Sequence, residues 1–501
     1  MESLNPERAC IGFCLVLIAV VAIVVPLAVI LPRQSAQQSP TTYLTSDGHP
    51  SLKVKVTREG LEFLKDIGLP LAVHQVKDIP LDDVKEDYYS LSRLNILDLT
   101  LGTSKITTEA PKTIRLTLQN VALSISGRWK FKSRLLSSHG DIDAKARGIS
   151  INLAIAVGMD DMGKPTLTVG SCSVSVANLS LKSKHTNIDH FWDKVLSISE
   201  KTLKKNAQAK ICPEITEKIN KQAKDAFSKL KVEYPLLKNV VVDTTLAQVP
   251  VVTSQSVELL VNGRCFPQNN SAIKYPFPST AITVAAGTDQ MTGVVMGEFF
   301  FRSLVYSLWV ENELDLLVTK DMLPKKYENI TANAFTSFVL GSIKYQDWPV
   351  QFRIKVTKLP DFHIRAGVLE ATVELDLLTY VILSNKTILA LTLHVVTKGS
   401  GNISVDTLSK LTATVTSMSA TVSIKTSYQW EFLIDPFNLV VPKILRSYVI
   451  PAVNRRLQQG YPLPKFENFI LDPNVGISYK TPMLRLIEGA LVGSCDWEIS
   501  P

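Results

Sequence analysis

Residues 169–230 read VGSCSVSVANLSLKSKHTNIDHFWDKVLSISEKTLKKNAQAKICPEITEKINKQAKDAFSKL, and two hydrophobic periods meet in them. The stretch opens as a strand: Leu167-Thr168-Val169 runs on through Val174, Val176 and Leu179, with Cys172 inside it. Phe191, Val195, Ile198, Leu203, Ala207 and Ile211 then recur at spacings of three and four, which predicts a long amphipathic helix. Lys201, Lys204, Lys205 and Lys210 fill its other face. Cys212 precedes Pro213, a residue suited to a first helical turn because it lacks the donor that turn leaves unpaired. Ile215, Ile219, Ala223, Phe227 and Leu230 continue the apolar stripe. A cysteine in a strand and another at a helix junction suggest a strap that pins a long helix against a sheet.

Working outward, 501 residues are enough for two or three domains with proper cores. The chain is 46% hydrophobic, and after the first forty residues the apolar positions come in short alternating runs, the habit of a large β-rich protein. Six cysteines are too few for a disulfide-stapled miniprotein. The formal charge is +8, and the whole excess lies within residues 51–255. A basic first domain suits an anionic partner such as lipid head groups or lipopolysaccharide, although a solvated lysine-rich helix face accounts for much of the same excess.

Behind a short flank (residues 1–9), residues 10–31 are predominantly apolar and uncharged, long enough to cross a bilayer core of ~30 Å. A cleavable signal peptide has a shorter apolar core and small residues before the cut, and Gln34-Ser35-Ala36 is a poor site. The residues therefore favour an uncleaved signal-anchor, with a cleaved signal peptide as the alternative. Cys10 and Cys14 are either palmitoylation sites or apolar filler. Residues 32–50 form a polar, Ser/Thr-rich stalk that we expect to be flexible.

The folded part begins near Leu52, where Leu52-Lys53-Val54-Lys55-Val56 alternates and Thr57 is placed to cap a short helix carrying Leu61, Phe63, Leu64 and Ile67. Strands are predicted across Leu91–Ser133 and Asp141–Val157, with a turn at Asp160-Asp161-Met162-Gly163, and β character returns over Val240–Val261. Residues 256–285 hold Pro267, Pro276 and Pro278 among Asn and Ser and read as a linker and central sheet. In residues 286–480 the strand pattern recurs at Leu314–Val318, Gln351–Val356, Val368–Leu383, Leu389–Val395 and Leu411–Ile424. Helices are predicted at Tyr327–Leu340 and Asp435–Leu457, the latter with Pro451 inside it. Each half thus offers strands and a long amphipathic helix.

Three stretches in sequence order carry a resemblance. The first is Gly127-Arg128-Trp129-Lys130-Phe131-Lys132-Ser133-Arg134-Leu135-Leu136, followed by Gly140-Asp141-Ile142-Asp143-Ala144 and Gly148-Ile149-Ser150-Ile151. The second is Cys172 to Cys212, and the third is Asn454-Arg455-Arg456-Leu457-Gln458-Gln459-Gly460-Tyr461-Pro462-Leu463-Pro464. Together they resemble the family of bactericidal permeability-increasing protein, lipopolysaccharide-binding protein and the plasma lipid-transfer proteins, over roughly Ser51 to Lys480. The resemblance implies an α+β fold: an elongated boomerang of two β-barrel-like lipid-binding domains (residues 51–255 and 286–480). Each would be a twisted antiparallel sheet wrapped round a long amphipathic helix, the two joined by a central sheet. It also implies phospholipid in an apolar pocket of each domain, and a disulfide between Cys172 and Cys212, worth about 4 kcal/mol in the chain-entropy model. Closed, dry cores are the alternative.

In an extended strand Arg128, Lys130, Lys132 and Arg134 share one face, while Trp129 and Phe131 share the other. A comb of cations backed by aromatics suits phosphate groups above acyl chains, with Trp at the polar–apolar boundary. The resemblance places this segment at the tip of the first domain, where relatives recognise lipopolysaccharide. Residues 481–501 add Met483, Leu484, Leu486, Ile487, Leu491 and Val492, an apolar tail expected as a short helix and loosely similar to that of the cholesteryl ester transfer member. Cys265 and Cys495 remain, and a second disulfide between them would join tail to linker. Asn178, Asn269, Asn329, Asn385 and Asn402 begin Asn-x-Ser/Thr triplets that permit glycosylation, best at Asn269 and Asn385.

No phosphate-binding Gly-x-x-x-x-Gly-Lys-Ser/Thr, His-Glu-x-x-His or Gly-x-Ser-x-Gly signature is present, and the seven histidines are scattered. No catalytic residue, metal or cofactor is expected, and no nucleic-acid partner. The expected partners are phospholipid, lipopolysaccharide or another anionic lipid, and a membrane surface. The function expected is non-enzymatic lipid recognition outside the cell; lipid transfer, or a cell-surface interaction protein with empty cores, are the rivals.

Overall fold

A computed structural model describes residues 50–76, 83–85, 89–132, 137–184, 204, 211–213, 215–221, 223–237, 239–283, 289–318, 347–406, 410–427, 450–458, 461–462 and 476–500. The apolar segment 10–31, the stalk up to residue 49, the predicted helix Tyr327–Leu340, most of Asp435–Leu457, Arg134 and Asn329 lie outside the described residues.

Alternation in β1 (Leu52–Thr57) puts Leu52, Val54 and Val56 on one face, and all three are buried. Thr57 ends the strand and caps α1 (Arg58–Val76), its Oγ1 accepting from Gly60 N at 3.3 Å. The helix runs for 19 residues, longer than the short one predicted. Leu61 and Leu64, one turn apart, anchor it in the core.

The first large sheet follows: β2 (Val84–Lys85), β3 (Tyr89–Thr100), β4 (Thr103–Glu109), β5 (Thr113–Lys132), β6 (Ser137–Met159) and β7 (Pro165–Lys184). Its order is β2-β3-β5-β6-β7, with β4 also on β5. Strands this long rarely keep one alternation, and these do not. Ile114 and Leu116 are buried in the first half of β5, but Val121 and Trp129 in the second; the phase changes at Asn120, which has φ 57°. In β6 the change falls at Gly148, φ 64°, where an added Cβ would meet that of Ala177 at 2.8 Å. In β7 Val176 and Leu181 are buried while Ala177 and Asn178 between them are exposed. The breaks lie at one level, so the whole sheet changes face together, and Val121, Ile149 and Val176 form a buried row beside them.

The strap is α2, residues 211–228 apart from 214 and 222. Cys172 in β7 and Cys212 in α2 are joined, with Cα atoms 5.6 Å apart. Asn220 Oδ1 accepts from Val169 N at 2.8 Å, and Lys204 Nζ donates to Ala177 O at 2.9 Å. These are backbone groups on the free edge of β7, which would otherwise template another strand. Ile219, Ala223 and Phe227 bury the inner stripe of α2.

Next come β8 (Glu233–Leu237), β9 (Val240–Asp243), β10 (Val251–Val252), β11 (Ser256–Val261) and β12 (Cys265–Pro267), then β13 (Thr292–Gly297) and α3 (Glu298–Val310). The second large sheet holds β14 (Leu316–Val318), β15 (Val350–Val356), β16 (Asp361–Arg365), β17 (Val368–Ile382), β18 (Thr387–Val405) and β19 (Lys410–Ser427). The short helix α4 (Ile450–Leu457) leads to β20 (Tyr461–Pro462), and β21 (Gly476–Ile487) and β22 (Ala490–Ser500) close the chain. The sheet order is β14-β15-β17-β18-β19-β20, with β16 beside β17. Neither large sheet pairs its first strand with its last, so both are open twisted sheets and not closed barrels; the strap, not a closing strand, covers the edge of the first.

A central sheet of order β10-β11-β1-β13-β22-β21 draws on both halves, with Val54 opposite Leu259 on one side and Val294 on the other. Two expectations change here, the helical tail and the second disulfide. Residues 481–500 are not a helical tail: they are most of a hairpin whose second strand pairs with β13. Leu484 and Leu486 alternate, Gly489 turns the chain at φ 72°, and β13 offers an unpaired edge, which together favour strand over helix. The proline-containing stretch after Arg264 is packed, with Cys265 and Phe266 buried in β12 and Tyr275 and Phe277 stacked on Phe299 and Tyr306 of α3. Cys265 and Cys495 are both free thiols: Cys265 lies opposite Val242 in the β8-β9-β12 sheet, and Cys495 lies opposite Thr292 in the central one.

Candidate functional site

The basic segment occupies the far end of β5. Arg128, Lys130 and Lys132 are exposed, Trp129 is buried and Phe131 half-buried, as an extended strand requires. Trp129 is 7% exposed and belongs to a separate apolar cluster with Leu91, Ile142 and Leu181. Its ring lies against Gly140, where a Cβ would come within 3.0 Å of Nε1. Trp129 is therefore not a boundary residue awaiting acyl chains. It is the internal anchor that holds the cations in line on the other face.

Cross-strand register extends that face beyond anything the linear sequence offers. Arg128 stands opposite Asp141, Lys130 opposite His139, and Lys132 opposite Ser137. Farther along β6, Lys145 and Arg147 are exposed on the same side, and Lys182 of β7 stands opposite Asp143. Arg128, Lys130, Lys132, Lys145, Arg147 and Lys182 thus share one sheet face with Asp141 and Asp143. Arg128 Nε lies 3.6 Å from Asp141 Oδ1, a loose pair with both partners exposed, so screening leaves it weak. Lys145, Arg147 and Lys182 were missed because separations of up to 54 positions in the chain, Arg128 to Lys182, collapse only once β5, β6 and β7 are in register.

The opposite faces of the large sheets are apolar and incompletely covered. In the first, Leu99, Leu118, Leu123 and Ile151 are only partly buried around the Val121–Ile149–Val176 row. In the second, Leu375, Leu377, Ala420 and Ile424 are partly buried around Leu391, Leu393, Val395 and Val422. The helical stretches predicted to line these faces, 191–203 and 435–449, lie outside the described residues.

Of the Asn-x-Ser/Thr positions, Asn178 is exposed opposite Arg147, and Asn269 is exposed just past β12. Asn385 is exposed in the β17–β18 turn closed by Leu383 N to Lys386 O at 2.9 Å, and Asn402 is exposed on β18. Among the described residues no group of three His, Cys, Asp or Glu is placed to hold a metal ion, and no helix is long and apolar enough to cross a membrane.

Two family models match the chain: the N-terminal domain of the LBP / BPI / CETP family over residues 58–222 and the C-terminal domain over residues 236–485. A bactericidal permeability-increasing protein from Sebastes schlegelii is 22% identical over 84% of this chain and 91% of its own. A lipopolysaccharide-binding protein from Rattus norvegicus is 24% identical over 84% and 89%. A phospholipid transfer protein from Homo sapiens is 23% identical over 62% and 64%. The crystal structure of a lipopolysaccharide-binding protein superposes with a TM-score of 0.55 at 21% identity, covering 90% of this chain and 99% of that one.

Proposed function

Because this chain belongs to the LBP/BPI/CETP family, we propose that it is a non-enzymatic binder of phospholipid or lipopolysaccharide that meets anionic lipid through the cationic face of β5, β6 and β7. The observation that carries this reading is the row Arg128, Lys130 and Lys132, exposed on one side of a strand whose other side is locked down by Trp129. Ammonium and guanidinium groups spaced two residues apart along a rigid strand meet a plane of phosphates without first being ordered. The half-covered apolar faces of the large sheets supply surface for acyl chains. The strap disulfide suits an oxidising compartment, so the protein acts on lipid outside the cell.

Recognition is favoured over transfer. A mobile apolar terminus would have argued for transfer, but residues 481–500 are part of the central-sheet hairpin.

The test is binding of the full chain to lipopolysaccharide and to anionic vesicles across a salt series. Each cation near such a surface contributes about 1 kcal/mol, so Arg128→Ala/Lys130→Ala/Lys132→Ala together weaken binding about 100-fold at low salt and flatten the salt dependence. Parental affinity in that variant would sink the recognition idea. Mass spectrometry after organic extraction is the companion experiment: stoichiometric lipid supports occupied pockets, and an empty protein supports an interaction role instead.

A further inference from the structure

On the second sheet, the face opposite its apolar side carries a cleft of about 490 Å3 between the end of α3 and strands β15, β17 and β19. That volume lies in the range of small-molecule sites. Asp376 sits in its lining with a side chain 9% exposed, between Leu375 and Leu377, which turn to the apolar side. Lys355 stands directly across from Asp376 on one side and His394 on the other.

Both carboxylate oxygens of Asp376 are already engaged. Lys425 Nζ donates to Oδ2 at 2.6 Å, and His394 Nδ1 lies 3.1 Å from Oδ1. Burial alone would raise the Asp376 pKa, but these hydrogen bonds outweigh it and hold the group below the usual carboxylate range. Around the rim, Arg353 pairs with Asp315 at 3.5 Å and Lys358 with Glu374 at 2.7 Å. Among the described residues, Lys355 is then the exposed cation of the cleft with no carboxylate of its own. The remaining wall mixes the half-buried Trp309 ring and Val356 with the amide of Asn312.

We propose that this cleft binds an acidic sugar, a saccharide unit bearing a phosphate or a carboxylate. Lys355 takes the anion, with Lys425 beside it held in place by Asp376. Trp309 and Val356 lie under the apolar face of the sugar ring, and Asn312 offers a donor and an acceptor to its hydroxyls. The cleft lies on the face of the sheet opposite Leu375, Leu377 and Leu393, so it is separate from the apolar side. The inference does not depend on the lipid-binding reading.

Calorimetric titration of the full chain with glucose 6-phosphate, glucuronate and glucose tests it. The two charged sugars should saturate with dissociation constants in the millimolar range, weakened by salt, and glucose should bind at least about tenfold more weakly. Lys355→Gln should abolish the preference for charged sugars, Trp309→Leu should weaken all three, and Lys398→Gln on the same sheet face should change nothing. The Arg128/Lys130/Lys132 variant should bind sugars as the parent does, so this cleft and the cationic face fail separately. The proposal is overturned if neither charged sugar gives measurable binding by about 10 mM, if glucose matches glucose 6-phosphate, or if Lys355→Gln, with an unchanged melting temperature, keeps the preference.

Discussion

Asp243 is a carboxylate almost sealed from water, 2% exposed, and both of its oxygens are engaged. Oδ1 accepts from Thr245 N and Thr245 Oγ1 at 2.9 and 2.5 Å, and Oδ2 accepts from Arg264 Nε at 3.2 Å. Arg264 in turn donates to Ser271 O, and its guanidinium lies 5.2 Å from the Phe266 ring centroid. Asp243→Asn strands a buried guanidinium, so urea unfolding should show a loss of about 3–5 kcal/mol. Asp376 carries a pH signature. Its folded-state pKa is depressed, so the stability it contributes is present above the ordinary value of 3.8 and lost as pH falls through the folded one. Stability measured below pH 3.8 should therefore fall less steeply in Asp376→Asn than in the parent. Burial pushes the Cys495 thiol up to about 12 and raises that of Cys265 as well. Peptides bearing either should stay unlabelled by iodoacetamide at pH 8 until the protein is unfolded, then label fully as free thiols.

At the scale of elements, the strap is the most consequential link. Cys172→Ser/Cys212→Ser releases a closure spanning 40 residues, and the urea midpoint should drop by the equivalent of about 4 kcal/mol. Asn220 and Lys204 would then hold the edge of β7 alone. This strap was legible because a period of two gives way to spacings of three and four in one stretch, with a cysteine on each side. The terminal hairpin was not. Leu484, Leu486, Leu491 and Val492 fit either period over so short a span, and what decides is the unpaired edge of β13 nearly 200 residues earlier. Trp497 shows what that hairpin contributes: it is 3% exposed, with its ring centroid 6.0 Å from that of Phe63 on α1. Trp497→Ala should destabilise by about 3–5 kcal/mol. Helix α3 escaped for a different reason. Phe299, Phe300, Phe301, Tyr306 and Trp309 leave no polar stripe, and Ser303 and Ser307 look like surface residues. In the fold both serines are fully buried, and both serve Cys265: its N–H donates to Ser303 Oγ, and Ser307 Oγ donates to its carbonyl. The basic comb was half legible; its partners on β6 and β7 needed register, and its aromatic backing turned out to be core.

For the whole molecule, the central sheet matters more than either large sheet, because β1, β13 and β22 come from residues near 54, 294 and 494 and lie side by side. Amide exchange should find these three segments among the slowest and losing protection together, despite their separation in the chain. Independent loss of protection in the segment 490–500 would mean that the β21–β22 hairpin opens apart from the rest of the central sheet.

The placement of β22 has a consequence for how the protein is made. Strand β1 emerges from the ribosome about 240 residues before β13, and at about 5–20 residues per second it waits on the order of ten seconds or more for the strands that flank it. Strand β22 follows nearly 200 residues after β13. A nonsense codon at the Gly489 turn would leave β13 bare along one side, and so should act as a null allele although both large sheets are already made.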